Sequence, residues 1–152
     1  MIDHLAFRLM ILDLVKIYRE GAFLKLIAID ARIESGVGRD EWMAKKLLDN
    51  IGQDPLLALL GNLHTLKKVQ WNISMTKKSP FVAEILASQR YNIKTYPQIW
   101  LDKTCNTRNR FIASDEVVAI GIINNKLISL LNASEFKMAN DIVDEVVLWE
   151  CD

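Results

Sequence analysis

The chain has 152 residues, 51% of them hydrophobic and 25% charged, which suits one globular domain with a core and excludes a disordered chain. Its 19 basic residues balance its 19 acidic ones, so the formal net charge is zero and no global field favours nucleic acid or an anionic membrane surface. One α/β domain over 1–152 is expected, cytoplasmic, with neither nucleic acid nor membrane as a partner.

The first stretch, "MIDHLAFRLMILDLVKIY", is apolar. Arg8 and Asp13 interrupt it, no basic cluster opens it and no small-residue cleavage site follows, so it reads as neither a signal peptide nor a membrane span. From Asp3 to about Glu20 the pattern is helical. Ala6, Phe7, Met10, Ile11, Leu14, Ile17 and Tyr18 recur at steps of three and four and form one stripe. Leu5, Leu9, Leu12 and Val15 fall outside it, which gives this helix more apolar surface than one sheet face covers.

"FLKLIAID" follows, a continuous apolar run of the kind buried on both faces of a parallel sheet, ending at Asp30. After the loop "ARIESGVG", "RDEWMAKKLLDN" predicts a helix, with Asp40 and Glu41 where carboxylates suit the dipole and Gly52 beyond its end. "PLLALL" is a second such run, ending in "GNLH". "SPFVAEILASQR" predicts a helix with Ser79 as N-cap and Pro80 in the first turn. "YNIKTYPQIWL" reads as extended. "VVAIGIINNKLISLL" reads as a strand and hairpin with "INNK" as the turn, and "DEVVLWE" as a last strand. The alternation of apolar runs with helical stripes predicts an α/β fold: a mostly parallel sheet with helices on both faces. Residues 24–29 and 56–60 are its neighbouring central strands, and 3–20, 39–51 and 80–89 its helices.

In open parallel sheets ligands bind outside the carboxyl ends of the strands. Asp30 and His64 stand at two such ends, and Arg39, Asp40 and Glu41 fall on the same rim. Gly61 lets the backbone turn sharply or approach a ligand. His64, Arg39 and Asp40 are therefore the candidate catalytic residues, and Asp30, Gly61 and Asn62 the candidate ligand-binding ones. Each has a plain alternative. Glu41 is better read as a helix-start residue, Asp40 also suits that role, Asp30 also suits a loop cap, and a strand-end histidine also serves to bind a loop carbonyl.

Other schemes lack the residues. The only other histidine is His4, inside the first helix, so a zinc site of two or three histidines is not expected. Cys105 and Cys151 form no CxxC pair and read as free thiols in a reducing compartment. "SGVGRD" is an incomplete dinucleotide fingerprint, and neither GxSxG nor a P-loop is present. "KTCNTRNR" reads as a solvated loop, although a thiol among cations has a lowered pKa in principle.

"GRDEWMAKKL" followed by "ALLGNLH" resembles the second half of the Tiki, erythromycin esterase and ChaN-like haem-binding superfamily. There an arginine-aspartate pair opens a helix with a following "MA", and a strand ends in glycine-x-x-histidine. Arg39, Asp40, Met43, Ala44, Gly61 and His64 stand in those positions, and the resemblance covers roughly 22–100. It implies a two-part site whose first histidine motif and glutamate lie upstream of this helix. A partial or truncated superfamily domain, or a subunit that borrows the missing half, is therefore one expectation.

Three functions follow as expectations. One is a hydrolase, with His64 as general base or metal ligand, Asp30 or Asp40 orienting it, and Arg39 stabilising negative charge. Another is a binding module for haem, a metal or a small ligand in the same cleft. The third is a structural remnant. The cofactor and the small-molecule ligand stay unspecified, and the partner expected is a second copy, paired through the first helix as a homodimer.

Overall fold

A computed structural model describes residues 5–30, 36–52, 55–72, 79–101 and 108–150. The elements are α1 (Leu5–Arg19), α2 (Arg39–Leu48), a 3-10 turn (Asn62–Thr65), α3 (Val82–Ser88), β1 (Gln98–Trp100), β2 (Arg108–Ala113), α4 (Val117–Lys126), a second 3-10 turn (Ile128–Leu130) and β3 (Glu145–Glu150). His4, Cys105 and Cys151 lie outside the described residues. No helix among them is long and apolar enough to cross a membrane.

α2 forms where its charges suit a helix, with Asp40 and Glu41 in the first turn and Lys45 and Lys46 in the last. It buries Met43, Ala44 and Leu47. α3 begins two residues later than the Ser-Pro signal suggests, because Glu84 does the capping. Glu84 Oε2 accepts the Phe81 N–H at 2.9 Å. At the other end Arg90 sits at φ 64°, with Tyr91 N–H donating to Leu86 O and Arg90 N–H to Ala87 O. This is the helix stop usually given to glycine, and an arginine there costs on the order of 1 kcal/mol. The buried side chains of α2 and α3 pack together as one cluster of Met43, Ala44, Leu47, Val82 and Leu86.

The second and larger core surrounds the sheet. β3 is its central strand, parallel to β1 through Gln98↔Val147 to Trp100↔Trp149, and antiparallel to β2 through Arg108↔Glu150 to Ala113↔Glu145. Val146, Val147 and Leu148 are all buried, so this strand is covered on both faces. Ile123, Ile128 and Ile142 are fully buried against it.

The mostly parallel sheet with helices on both faces is therefore overturned: the sheet is small, three-stranded and mixed. Residues 24–29 and 56–60 are not strands. No backbone hydrogen bond joins them to another described segment. The physical reason lies in their cover. Ile29, Ala58 and Leu60 pack against the α2–α3 cluster. On the other side Phe23, Leu26, Leu57 and Leu59 are exposed, Leu57 at 99%. Among the described residues helices cover one face only, and no neighbouring strand satisfies the backbone.

Residues 117–131 also differ from the expected hairpin. They form α4 and the second 3-10 turn. β-branched residues are frequent in the segment, but Ala119, Ile123 and Leu127 recur every fourth residue and are buried, with Ile128 of the turn beside them. Asn124, read as a turn residue, instead grips the next loop: its Nδ2 donates to Phe136 O and its Oδ1 accepts the Phe136 N–H.

Candidate functional site

The site grows from the first turn of α2. Asp40 Oδ1 lies 2.6 Å from His64 Nδ1 and accepts the Val82 N–H at 3.0 Å. One carboxylate thus ties α2 to both the 3-10 turn and the start of α3. The Asp40 and His64 side chains are only 17% and 18% exposed. His64 is held from its own side by the turn bond His64 N–H to Gly61 O, and its ring stands edge-on to Phe81 at 6.0 Å. Phe81 in turn meets Trp71.

This geometry assigns the tautomer. An ionised carboxylate only accepts, so the proton of a neutral imidazole sits on Nδ1 and the Nε2 lone pair is left for other work. Gly61 bounds that edge of the ring. Its backbone is ordinary extended chain, φ −66° and ψ 148°, so no conformational rule demands glycine. A Cβ there would stand 3.5 Å from His64 Cδ2 and 4.0 Å from Nε2, in van der Waals contact. Glycine keeps that edge uncovered.

Arg39 points elsewhere. Its guanidinium grips the Asp30 carboxylate with two bonds, Nε to Oδ1 at 2.8 Å and Nη2 to Oδ2 at 2.9 Å, in an exposed pair. The hydrogen bond to Asp30, then its charge, pushes the Arg39 pKa up, and the Asp40 charge adds to this. Arg39 and Asp30 thus form a pair beside the dyad, and Asp40 is the aspartate that touches the histidine. Asn62 is likewise engaged: Nδ2 donates to Gln98 O at 2.6 Å and Oδ1 accepts the Gln98 N–H at 2.9 Å, anchoring the turn to β1.

Sequence reasoning missed Glu84. Its two oxygens accept the Val69 and Phe81 amides. Burial pushes its pKa up, the two amide bonds pull against this, and the Asp40 charge pushes the same way as burial. The available signal was a glutamate three residues into the helix, the place of a reciprocal cap. Among the described residues, no group of three histidine, cysteine, aspartate or glutamate side chains is arranged to hold a metal ion.

An aspartate-oriented imidazole with a free Nε2 can take a proton from water or a hydroxyl, or donate its lone pair to a metal centre. Comparison with protein-family models gave no match, and neither did comparison with curated proteins or with solved structures.

Proposed function

We propose that the chain carries one part of a hydrolytic site of the Tiki, erythromycin esterase and ChaN-like kind, with His64 as general base. The observation that supports this most is the Asp40–His64 contact at 2.6 Å, made between the two motifs that carry the resemblance. Asp40 holds the ring and favours the imidazolium that forms when Nε2 takes a proton. Arg39, paired to Asp30, serves as the rim of the site and does not reach the histidine.

The test uses the full chain and an activated probe, p-nitrophenyl acetate. Saturable hydrolysis is expected, falling about 10²-fold or more in His64→Ala. Gly61→Ala is expected to fold normally, because its backbone and the added contact are both ordinary, yet to lose activity as its methyl crowds the open ring edge. Hydrolysis equal in the parent chain and His64→Ala removes the general-base reading.

A non-catalytic reading rests on the same nitrogen. The described residues offer one oriented imidazole and no group of three ligands, so a haem iron, which takes a single protein nitrogen, fits this donor set better than a bare metal ion. Haem bound there would supply a Lewis-acidic iron, with His64 holding it and Asp40 fixing the ring. A Soret shift on adding hemin, absent in His64→Ala, identifies this outcome.

The pairing of two copies through α1 belongs to the same proposal. No side chain described between Phe7 and Arg19 is buried, and Leu9, Leu12 and Val15 are exposed. Burying each of these would contribute about 1.5 to 3 kcal/mol. Light scattering coupled to size exclusion is expected to give about twice the 17.4 kDa chain mass, and a monomer on replacing Leu9 and Leu12 by serine. A 17.4 kDa species across a dilution series removes the dimer.

A further inference from the structure

A groove of about 450 Å³ lies beside β1, between the first 3-10 turn and the end of α4. That volume is in the range of small-molecule sites, about 300 to 1,000 Å³. None of His64, Asp40, Arg39 and Asp30 lines it. Its apolar walls come from Leu63, Ile99, Leu127 and Leu130, with Leu130 70% exposed although it is a leucine. Trp100 closes one side, stacked at 6.1 Å and 7° on Trp149, so that its ring is held in place.

The polar groups of the groove have a consistent sense. Trp149 Nε1 can only donate, so its bond to Gln98 Oε1 fixes that amide with the oxygen turned to Trp149 and the –NH₂ left over. The Gln98 backbone fixes Asn62 in the same way: Oδ1 is used by the Gln98 N–H, and one of the two Nδ2 hydrogens by Gln98 O. Lys126, in the last turn of α4, is exposed and has no ion pair among the described residues. What the groove offers from these side chains is therefore a cation, an unused N–H on each amide and amide oxygens that already accept one bond each, on an apolar bed.

From this we infer that the groove binds a small carboxylic acid carried on an apolar body, its carboxylate met by Lys126 and the free amide hydrogens of Asn62 and Gln98, and its body lying on Trp100, Leu127 and Leu130. A neutral molecule of the same shape would fill the same walls without answering the lysine. An amine would meet the like charge of Lys126.

The test is titration of the full chain with 3-phenylpropionate and with its neutral amide, read by tryptophan fluorescence and by calorimetry. The acid is expected to bind saturably, and the amide about two- to fivefold more weakly, the size of an exposed ion pair. Lys126→Met should bring the acid to the level of the amide. Leu130→Glu, at an exposed position that tolerates a polar residue, should weaken the acid further and leave the amide less affected. Equal binding of acid and amide, an acid affinity unchanged in Lys126→Met, or no saturation up to about 10 mM overturns the assignment. Each of these results leaves the hydrolytic reading standing, because His64 and its partners do not line the groove.

Discussion

Leu148→Ala is expected to destabilise the chain by about 2 to 5 kcal/mol, lowering the thermal midpoint by roughly 5 to 15 °C. Leu148 is 1% exposed in the middle of β3, opposite Ile99 of β1 and Arg110 of β2. Both neighbouring strands depend on its register, so the cavity cannot close by shifting one of them without breaking a ladder. Leu59→Ala removes the same atoms from a side chain that is 65% exposed, and should change stability by no more than about 0.5 kcal/mol. Urea denaturation of the two variants checks the pair. If Leu59→Ala proves as costly as Leu148→Ala, the exposed face of 55–60 is covered in solution and the core is larger than the structure describes.

That comparison also marks where the sequence could be read and where it could not. α2 was legible from its apolar stripe and the charges at its ends, α3 from the Ser-Pro start before an apolar stretch, and β3 from a short apolar run. "FLKLIAID" and "PLLALL" misled because a continuous apolar run states that two faces want cover, and not that cover exists. Here Leu57 and Leu59 have none. α4 misled in the opposite sense, since the four-residue recurrence of Ala119, Ile123 and Leu127 was hidden among β-branched neighbours. Asp40 and His64 come together, but for a different reason from the one the sequence suggested. The sequence placed Asp40 on the rim of a parallel sheet whose strand ends carried Asp30 and His64, and 24–29 and 56–60 form no such sheet. α2 and α3 pack on one another, and Asp40 reaches both the amide of Val82 and the imidazole across that contact. The bond of Asn62 to a backbone 36 positions away carries no local signal at all.

Asp40→Ala is expected to cost about 3 kcal/mol. Two donors lose their acceptor at once. The Val82 amide opens α3 on a residue that is 0% exposed, so water does not readily replace the carboxylate. His64 Nδ1 loses its partner on a side chain only 18% exposed. Hydrogen bonds to a charged acceptor contribute about 1.5 to 3 kcal/mol each, and the amide lies where the α3 dipole favours negative charge. Asp40→Asn keeps an oxygen that accepts from both donors and loses only the charge, so it should cost roughly 1 kcal/mol. His64→Ala removes one of the two bonds and the edge contact with Phe81. In a double-mutant cycle Asp40→Ala and His64→Ala should therefore couple by about 1 to 2 kcal/mol, while Asp40→Ala and Leu148→Ala, in separate clusters, should add. Urea midpoints at pH 7 measure all of these. Additivity of Asp40→Ala with His64→Ala would mean that the 2.6 Å contact does not persist in solution, and the oriented imidazole on which both the hydrolytic and the haem readings rest would go with it.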